Sequence, residues 1–225
     1  MPEPVRPTAV VYVDGHNLYK VRLAQNPELR WLNLLAMFEN MFPDLEIVKV
    51  HYFSAELLGH YSSTDKKVSR QKMYFRALAT LSPKLEIHLG AFRADTRLLP
   101  VSPLKMNAES NSFERTPVVK FEEKGSDVHL ASRLVADSAT RSYAIGILLS
   151  NDSDFAPAVK IACQDFKAEL YLVVPQLEVK RASNQLKRSG FQKVLTIDER
   201  HLKESQFDQE LKDSQGLFHR PKKWA

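Results

Sequence analysis

The stretch Val10-Val11-Tyr12-Val13-Asp14-Gly15-His16-Asn17 is a short apolar run that ends in an acidic residue. A second stretch of the same kind is Ile147-Leu148-Leu149-Ser150-Asn151-Asp152-Ser153-Asp154. Short continuous apolar runs are typical of strands that are covered on both faces, as in parallel sheets. Each stretch therefore predicts a buried strand that is followed directly by carboxylates.

The rest of the chain alternates between strand-like and helix-like segments. The strand-like runs are Ala9–Val13, Glu46–Phe53, Leu85–Phe92, Tyr143–Leu149, Glu169–Val174 and Val194–Ile197. Helical periodicity is found over residues 32–41 and in Val68–Leu81, Val128–Ala139, Ala156–Phe166 and Ala182–Arg188. This alternation predicts an α/β fold, in which a mainly parallel central sheet is covered by helices on both faces. We expect the domain over residues 1–198, and a C-terminal tail over 199–225 that packs on the domain or extends from it.

One region interrupts the alternation. Asp95–Pro117 contains Pro100, Pro103 and Pro117 among many polar residues. The composition predicts a long loop, and a loop of this length in a compact domain is usually functional or disordered.

Composition restricts the class of protein. With 225 residues, 44% hydrophobic and 26% charged, the chain is typical of a globular protein. Its apolar runs are too short to span a membrane, and the N-terminus lacks the pattern of a secretory signal, so we expect a cytoplasmic protein without a membrane partner. The single cysteine, Cys163, excludes an internal disulfide. A net charge of +5 is compatible with a polyanionic partner.

Four aspartates are predicted to share one site. In an open parallel sheet, ligands bind beyond the carboxyl ends of the strands. Asp14, Asp152 and Asp154 reach the same crevice if their strands are neighbours, and Asp127 joins them from a helix that begins near Ser126. Clustered carboxylates repel one another unless cations neutralise them, and all-oxygen ligation suits Mg²⁺ or Mn²⁺. Metal-assisted phosphodiester hydrolysis is the reaction class that this pattern favours.

Structural roles are the alternative for each residue taken alone. Asp14 is also compatible with a simple turn, and Asp127 and Asp154 with helix N-caps. Asn17 either contributes to the site or caps a helix that starts at Leu18, and the sequence leaves both roles open. For the acids together, turn chemistry does not explain why carboxylates end two separate buried strands.

Three blocks of the sequence resemble the NYN domains, which are PIN-like ribonucleases related to FLAP nucleases. The blocks are Tyr12-Val13-Asp14-Gly15-His16-Asn17-Leu18-Tyr19, Lys124-Gly125-Ser126-Asp127-Val128-His129-Leu130-Ala131 and Leu149-Ser150-Asn151-Asp152-Ser153-Asp154-Phe155. The resemblance covers about residues 8–198. It implies a PIN-like Rossmannoid three-layer sandwich, and RNA cleavage with Mg²⁺ or Mn²⁺. It also implies metal ligation by Asp14, Asp127, Asp152 and Asp154, with Asn17 as a polar member of the catalytic site.

Two positions depart from the family pattern. Family members commonly have Gly where this chain has Asn151, and many have an Asp on the following helix where it reads Ser132-Arg133. These departures keep open the alternative of an RNA- or protein-binding module with little or no catalysis.

Basic residues outside the acidic blocks are candidates for contacts with RNA. Lys66, Lys67 and Arg70 open one predicted helix, and Lys124 precedes Gly125. Phosphate contacts from such residues position a nucleic acid without reading its sequence. We expect RNA, single-stranded or structured, as the partner; the sequence does not decide between a monomer, a homo-oligomer and a complex with another protein.

Overall fold

The computed structural model describes residues 5–57, 65–107 and 110–224. Its strands are β1 (Thr8–Asp14), β2 (Glu46–Ala55), β3 (Leu85–Pro100), β4 (Met106–Asn107), β5 (Ser112–Phe113), β6 (Arg115–Lys124), β7 (Ile145–Leu149), β8 (Glu169–Val174), β9 (Lys193–Thr196), β10 (Glu210–Asp213) and β11 (Gly216–His219). Its α-helices are α1 (Gly15–Leu18), α2 (Leu34–Met41), α3 (Asp65–Ala79), α4 (Ser126–Thr140), α5 (Ala156–Gln164), α6 (Asn184–Lys187) and α7 (Glu199–Glu204).

Seven strands form one sheet in the order β6-β3-β2-β1-β7-β8-β9. Every neighbouring pair is parallel except β3 and β6, which are antiparallel. The predicted α/β fold with a mainly parallel sheet between helical layers is therefore confirmed. Within the described residues, no helix has both the length and the apolarity needed to cross a bilayer.

The alternation of side chains along β1 supplies two hydrophobic cores. Ala9, Val11 and Val13 face a core that includes residues of α2, α3 and α7. Val10 and Tyr12 face the opposite core, which α4, α5 and α6 cover. Because β1 is buried on both faces, its run of apolar residues needs no polar alternation.

The prediction of a loop over Asp95–Pro117 is wrong. β3 continues to Pro100 and pairs with β6 from Ala91 opposite Lys124 to Pro100 opposite Arg115. Pro117 lies on β6, which is the edge strand of the sheet, where a missing N–H is best tolerated. The region is therefore a long β-hairpin in which Pro100 ends β3 and Pro117 lies within β6. The described part of its tip carries the short β4–β5 ladder.

Residues after 198 contribute aromatic side chains to the first core. Phe207, Phe218 and Trp224 are buried, and each ring lies 5.8–6.4 Å from the Trp31 ring, centroid to centroid. An ion pair between Arg76 of α3 and Asp213, with an N···O distance of 2.7 Å, holds the β10–β11 hairpin against the domain. This segment packs on the domain rather than extending from it.

Candidate functional site

An open cleft of about 240 Å³ lies at the carboxyl edge of the sheet. It is bounded by the end of β1, the start of α4 and the base of the β3–β6 hairpin. The residues that line it are Asp14, His16, Asn17, Phe92, Phe121, Glu123, Asp127 and Asp152. Three of the four predicted aspartates, and Asn17, thus lie around the same cleft.

Asp14 is the last residue of β1 and is held by hydrogen bonds at both carboxylate oxygens. The Asn17 N–H donates to Oδ1 at 2.9 Å, and the Ser150 hydroxyl donates to Oδ2 at 2.8 Å. Asp14 is therefore the N-cap of α1, which begins at Gly15. The alternative in which Asn17 caps a helix starting at Leu18 is wrong, because Asp14 already occupies that position.

Hydrogen bonds of Ser150 connect the ends of β1 and β7. Its Oγ donates to Asp14 and accepts the backbone N–H of Asp152 at 3.0 Å. The adjacent Asn151 ties the same loop to the rest of the domain: its Oδ1 accepts the Ser183 N–H at 2.7 Å, and its Nδ2 donates to the Arg181 carbonyl. The loop that carries Asp152 is thus fixed from both sides.

Asp154 has a different environment from Asp152. Asp152 caps the 3₁₀ turn Ser153–Phe155, and its Oδ1 accepts the Asp154 N–H at 3.0 Å. The helix α5 begins only at Ala156, with Phe155 at the N-cap. The alternative of Asp154 as a helix cap is therefore wrong, and Asp154 is not among the residues that line the cleft.

Asp127 lies in the first turn of α4 without capping it. Gly125, with a φ of 101°, is the N-cap, and the Ser126 N–H donates to Glu123 Oε1 at 3.0 Å. The capping role considered for Asp127 is therefore wrong. Gly90 allows this approach of β3 to α4, because a Cβ there would lie 2.9 Å from the Lys124 carbonyl oxygen and 3.0 Å from the Ser126 nitrogen.

Burial and mutual repulsion raise the pKa values of two of these carboxyls. Burial raises the pKa of Asp14, although its hydrogen bonds from Asn17 and Ser150 act in the opposite direction. Burial, and then the charges of Asp14, Glu123 and Asp152, raise the pKa of Asp127 to about 6. Asp127 keeps an exposed edge, so salt will screen part of this repulsion.

Sequence reasoning missed three residues of the cleft: Phe92 ends a predicted strand, and Phe121 and Glu123 lie between the predicted loop and the helix near Ser126, where no element was predicted. Phe92 pairs opposite Glu123 and Ala94 opposite Phe121, so these side chains share the face of the hairpin that turns toward the cleft. A strand alternation across residues 118–124 would have been the signal for Phe121 and Glu123. His16, expected at the surface, is exposed but also lines the cleft.

The side-chain oxygen of Asn17, Oδ1, is a buried polar atom without a hydrogen-bond partner among the described residues. A buried oxygen without a partner carries a desolvation cost of about 1–3 kcal/mol. Asn17 lines the cleft, where a bound cation or a water molecule would give this oxygen a partner.

The predicted basic residues lie outside the cleft. Lys66 and Lys67 are exposed and Arg70 half-buried on the first turns of α3. Gln71 of the same helix donates to the Ala55 carbonyl at 2.9 Å, so the start of α3 lies by the carboxyl end of β2, at the same edge of the sheet as the cleft. Lys124 instead forms an ion pair with Glu122 at 2.7 Å on the hairpin.

Comparisons with known proteins give one curated relative and a similar solved structure. No family model matches the chain. It is 28% identical over 200 residues to 6-hydroxy-3-succinoylpyridine 3-monooxygenase HspA of Pseudomonas putida, a match that covers 81% of this chain and 63% of that protein. The chain thus spans less than two thirds of the length of this distant relative, which is named as an enzyme. A crystal structure of a protein of unknown function from Vibrio parahaemolyticus matches 88% of this chain and 98% of that chain, with 17% identity and a TM-score of 0.49.

Proposed function

We propose that this protein is a metal-dependent endoribonuclease of the NYN type, with its catalytic site in the cleft at the carboxyl edge of the sheet. The observation that carries the proposal is the meeting of Asp14, Asp127 and Asp152 from three separate elements around one cleft. This arrangement agrees with the resemblance of the three sequence blocks that contain these residues.

The donor atoms suit Mg²⁺ or Mn²⁺. Every candidate ligand in the cleft except His16 offers oxygen, which both ions prefer. A cation in the cleft would give the Asn17 Oδ1 a partner, and it would lower the pKa of Asp127 by offsetting the repulsion among the carboxylates. Asp14, Asp127 and Asp152 would hold the ion, and Glu123 adds a carboxylate that the sequence blocks did not include. Asp154 remains a candidate through its position in the third block alone.

The protein's own contribution is to fix the ligands before the substrate arrives. Asp14 is oriented by Ser150 and by the Asn17 N–H, so its carboxylate cannot turn away from the cleft. Ser150 also positions the backbone of Asp152. A bound Mg²⁺ or Mn²⁺ would supply an activated water and charge stabilisation at the leaving oxygen. Such preorganised ligands avoid the cost of rearrangement during the reaction.

The walls of the cleft fit an unpaired strand of RNA. Phe92 and Phe121 flank the acidic group, and base–aromatic stacking is the common way in which proteins bind single strands without reading sequence. Lys66, Lys67 and Arg70 at the start of α3 would contact phosphates approaching along this edge. Lys124, paired with Glu122, contributes only if that pair opens.

The relative named as a monooxygenase defines a second candidate function, oxidation of a small heteroaromatic acid. Such a ring would also stack on Phe92 or Phe121. However, no Lys or Arg is found among the described residues that line the cleft, so the only polar partners of a substrate carboxylate there would be acids, His16 and the Asn17 amide unless a cation were bound. The carboxylates that line the cleft, whose oxygens suit Mg²⁺ or Mn²⁺, favour the nuclease.

One experiment tests both candidates. The purified protein is incubated with mixed single-stranded RNAs in Mg²⁺, Mn²⁺ or EDTA, and in parallel with 6-hydroxy-3-succinoylpyridine, oxygen and a reduced nicotinamide cofactor. We expect metal-dependent internal cleavage of RNA and no oxygen consumption. RNA binding without cleavage would instead support the binding module, and substrate-dependent oxygen consumption would support the oxygenase.

A further inference from the structure

A group of ionisable side chains lies between β2, β3 and α4, on the α4 side of the sheet. In the register of the two strands, His51 is opposite Glu86 and Phe53 is opposite His88. All four side chains therefore share one face, and the rings of Phe53 and His88 stack with centroids 4.6 Å apart. A face covered by a helix is normally apolar, so the histidines and the glutamate require an explanation.

The distances within this group are those of a small coordination site. His51 Nδ1 lies 2.9 Å from His88 Nε2. Glu86 Oε2 lies 3.7 Å from His51 Nδ1, and Glu86 Oε1 lies 4.0 Å from His88 Nε2. One ligand atom from each of the three residues falls within 4.8 Å of the others. Two nitrogens that share a tetrahedral ion at about 2.0–2.1 Å are roughly 3.4 Å apart, so both rings need to move by only a few tenths of an ångström.

The carboxylate of Asp137 lies behind His51, on the side away from His88. Asp137 Oδ2 lies 3.8 Å from His51 Nε2, and Asp137 is itself held by the Tyr12 hydroxyl and by Arg133 Nε, both at 2.9 Å. This carboxylate favours the proton on Nε2, which leaves the lone pair of Nδ1 directed at His88 and Glu86. A metal-ligating histidine usually donates its far N–H to a carboxylate, and Asp137 would have to approach His51 by several tenths of an ångström to accept that hydrogen bond.

We propose that His51, Glu86 and His88 bind a divalent transition-metal ion. Two imidazoles and one carboxylate with a position left for water are the ligands of several zinc sites, and also of non-haem Fe²⁺ sites. Such a site is distinct from the acidic cleft in its elements and in its ligand atoms. It does not depend on the proposed nuclease activity.

The surroundings permit an ion to enter. Glu86 is half-exposed, and β3 pairs with β6 only from Ala91 onward, so the β3 edge beside Glu86 has no strand next to it among the described residues. Burial lowers the pKa of His51 to about 4, and its imidazole is therefore neutral at pH 7, which is the form that ligates metals.

Two positively charged side chains, Arg133 and Lys49, lie near the proposed metal site, and mutation of Lys49 tests the proposal. Arg133 is neutralised by Asp137, whereas the Lys49 ammonium lies 3.2 Å from Glu86 Oε2. An incoming ion must displace Lys49 from Glu86. Removing the charge of Lys49 should therefore tighten binding, a change of opposite sign to the loss of any ligand.

The test is titration calorimetry of the metal-free full chain with Zn²⁺, with Fe²⁺ under anaerobic conditions, and with Mg²⁺. We expect a Zn²⁺ or Fe²⁺ binding phase that Mg²⁺ does not share, because two of its ligands are nitrogens, in addition to any ion that binds in the acidic cleft. Glu86→Gln and His88→Gln should each weaken binding at least about tenfold. Lys49→Gln should strengthen it. Substitution of Co²⁺ gives a second readout, since tetrahedral nitrogen and oxygen ligation produces visible absorption bands.

Matched controls distinguish this site from others on the protein. His219→Gln removes an exposed histidine that also lies near a carboxylate, Glu210, and should bind Zn²⁺ as the parent does. Asp152→Asn should likewise keep the Zn²⁺ site. The proposal is overturned if the parent binds neither Zn²⁺ nor Fe²⁺, or if Glu86→Gln and His88→Gln, shown to be folded by circular dichroism, bind them as tightly as the parent.

Discussion

The acidic cleft and the histidine group lie on the same sheet but offer a cation different ligand atoms. The cleft offers carboxylate oxygens, and the histidine group offers mainly imidazole nitrogens. The cleft, at the strand ends, collects carboxylates whose pKa values are raised by burial and repulsion. The histidine group, on the sheet face under α4, contains imidazoles whose pKa values are lowered by burial. In both regions desolvation favours the neutral form, and a bound cation would reverse part of that cost.

Their partners differ because of where they lie in the fold. At the strand ends, backbone N–H groups donate to side chains: the Asn17 N–H to Asp14 and the Asp152 N–H to Ser150. On the sheet face, the contacts of the histidine group are with side chains, among them Asp137 and Lys49. The strand ends thus suit a metal site with oxygen ligands that backbone N–H groups hold in place. On the sheet face, a site with nitrogen ligands needs further side chains to hold its histidines in place. If this comparison is right, the two regions will respond independently to mutation.

The largest expected effect is a separation of functions between the two regions. Asp152→Asn removes a cleft carboxylate and should reduce metal-dependent RNA cleavage to the level seen in EDTA, while Zn²⁺ affinity stays unchanged. Asp165→Asn makes the same chemical change at an exposed position and serves as the control. Cleavage that persists in Asp152→Asn, or that survives EDTA, would indicate a contaminating nuclease.

Aromatic walls distinguish the cleft further. Phe121→Ala should raise the KM for single-stranded RNA about tenfold with little change in kcat, because loss of one stacked base costs on the order of 1–3 kcal/mol. Phe113→Ala on the same hairpin, exposed and away from the cleft lining, is the matched control. Equal KM values for the two variants in steady-state assays would show that Phe121 does not stack on RNA.

A smaller effect is expected from the basic start of α3. Changing Lys66, Lys67 and Arg70 together to Ala should weaken binding to all RNAs alike and flatten the dependence of affinity on salt. Changing the exposed Lys212, Lys222 and Lys223 removes an equal charge elsewhere. Fluorescence anisotropy at several salt concentrations separates the two sets; identical slopes would make the start of α3 a solvated surface only.

The smallest effect concerns stability and has a defined pH window. The pKa of Asp127 is raised to about 6 in the fold, so its ionisation destabilises the metal-free protein as pH rises from about 4 through 6. Asp127→Asn in EDTA should therefore melt above the parent at pH 7, by about 2–4 °C after allowance for screening at an exposed group. The difference should vanish near pH 4.

Differential scanning fluorimetry across pH measures this difference. Asp14→Asn is the poorer variant for the purpose, because Asp14 accepts two hydrogen bonds that an amide cannot replace in full. The effect of His51 on stability has the opposite sign, because its pKa is lowered in the fold. Its contribution to the stability of the fold is fully present when the pH is above the ordinary pKa of histidine, and it is lost as the pH falls toward about 4. A melting difference for Asp127→Asn that does not grow with pH would contradict the repulsion in the cleft.

Most of the fold could be predicted because the strands that form its centre are continuous apolar runs. The sequence does not show that β3 extends to Pro100, since proline and polar residues are typical of loops and also of exposed edge hairpins. The packing of residues after 198 was not predictable either, because isolated aromatics such as Phe207 and Trp224 carry no period.

Strand ends and one helix start were sufficient to predict that Asp14, Asp127 and Asp152 line one cleft, although the same reasoning also placed Asp154 there, and Asp154 does not line it. Their environments were not accessible, because hydrogen bonds such as Ser150 to Asp14 join residues far apart in the chain. Glu123 depends on the strand pairing of β3 with β6, and the histidine group depends on the register of β2 with β3. Neither register is encoded locally.

The aromatic contacts around Trp31 set a minimum time for folding during synthesis. Trp31 lies near one end of the chain, and the rings that cover it, up to Trp224, are made almost two hundred residues later. At roughly 5–20 residues per second, a ribosome needs about 10–40 s to add them. Throughout that interval Trp31 lacks these rings, so the first core cannot be completed before Trp224 has been added.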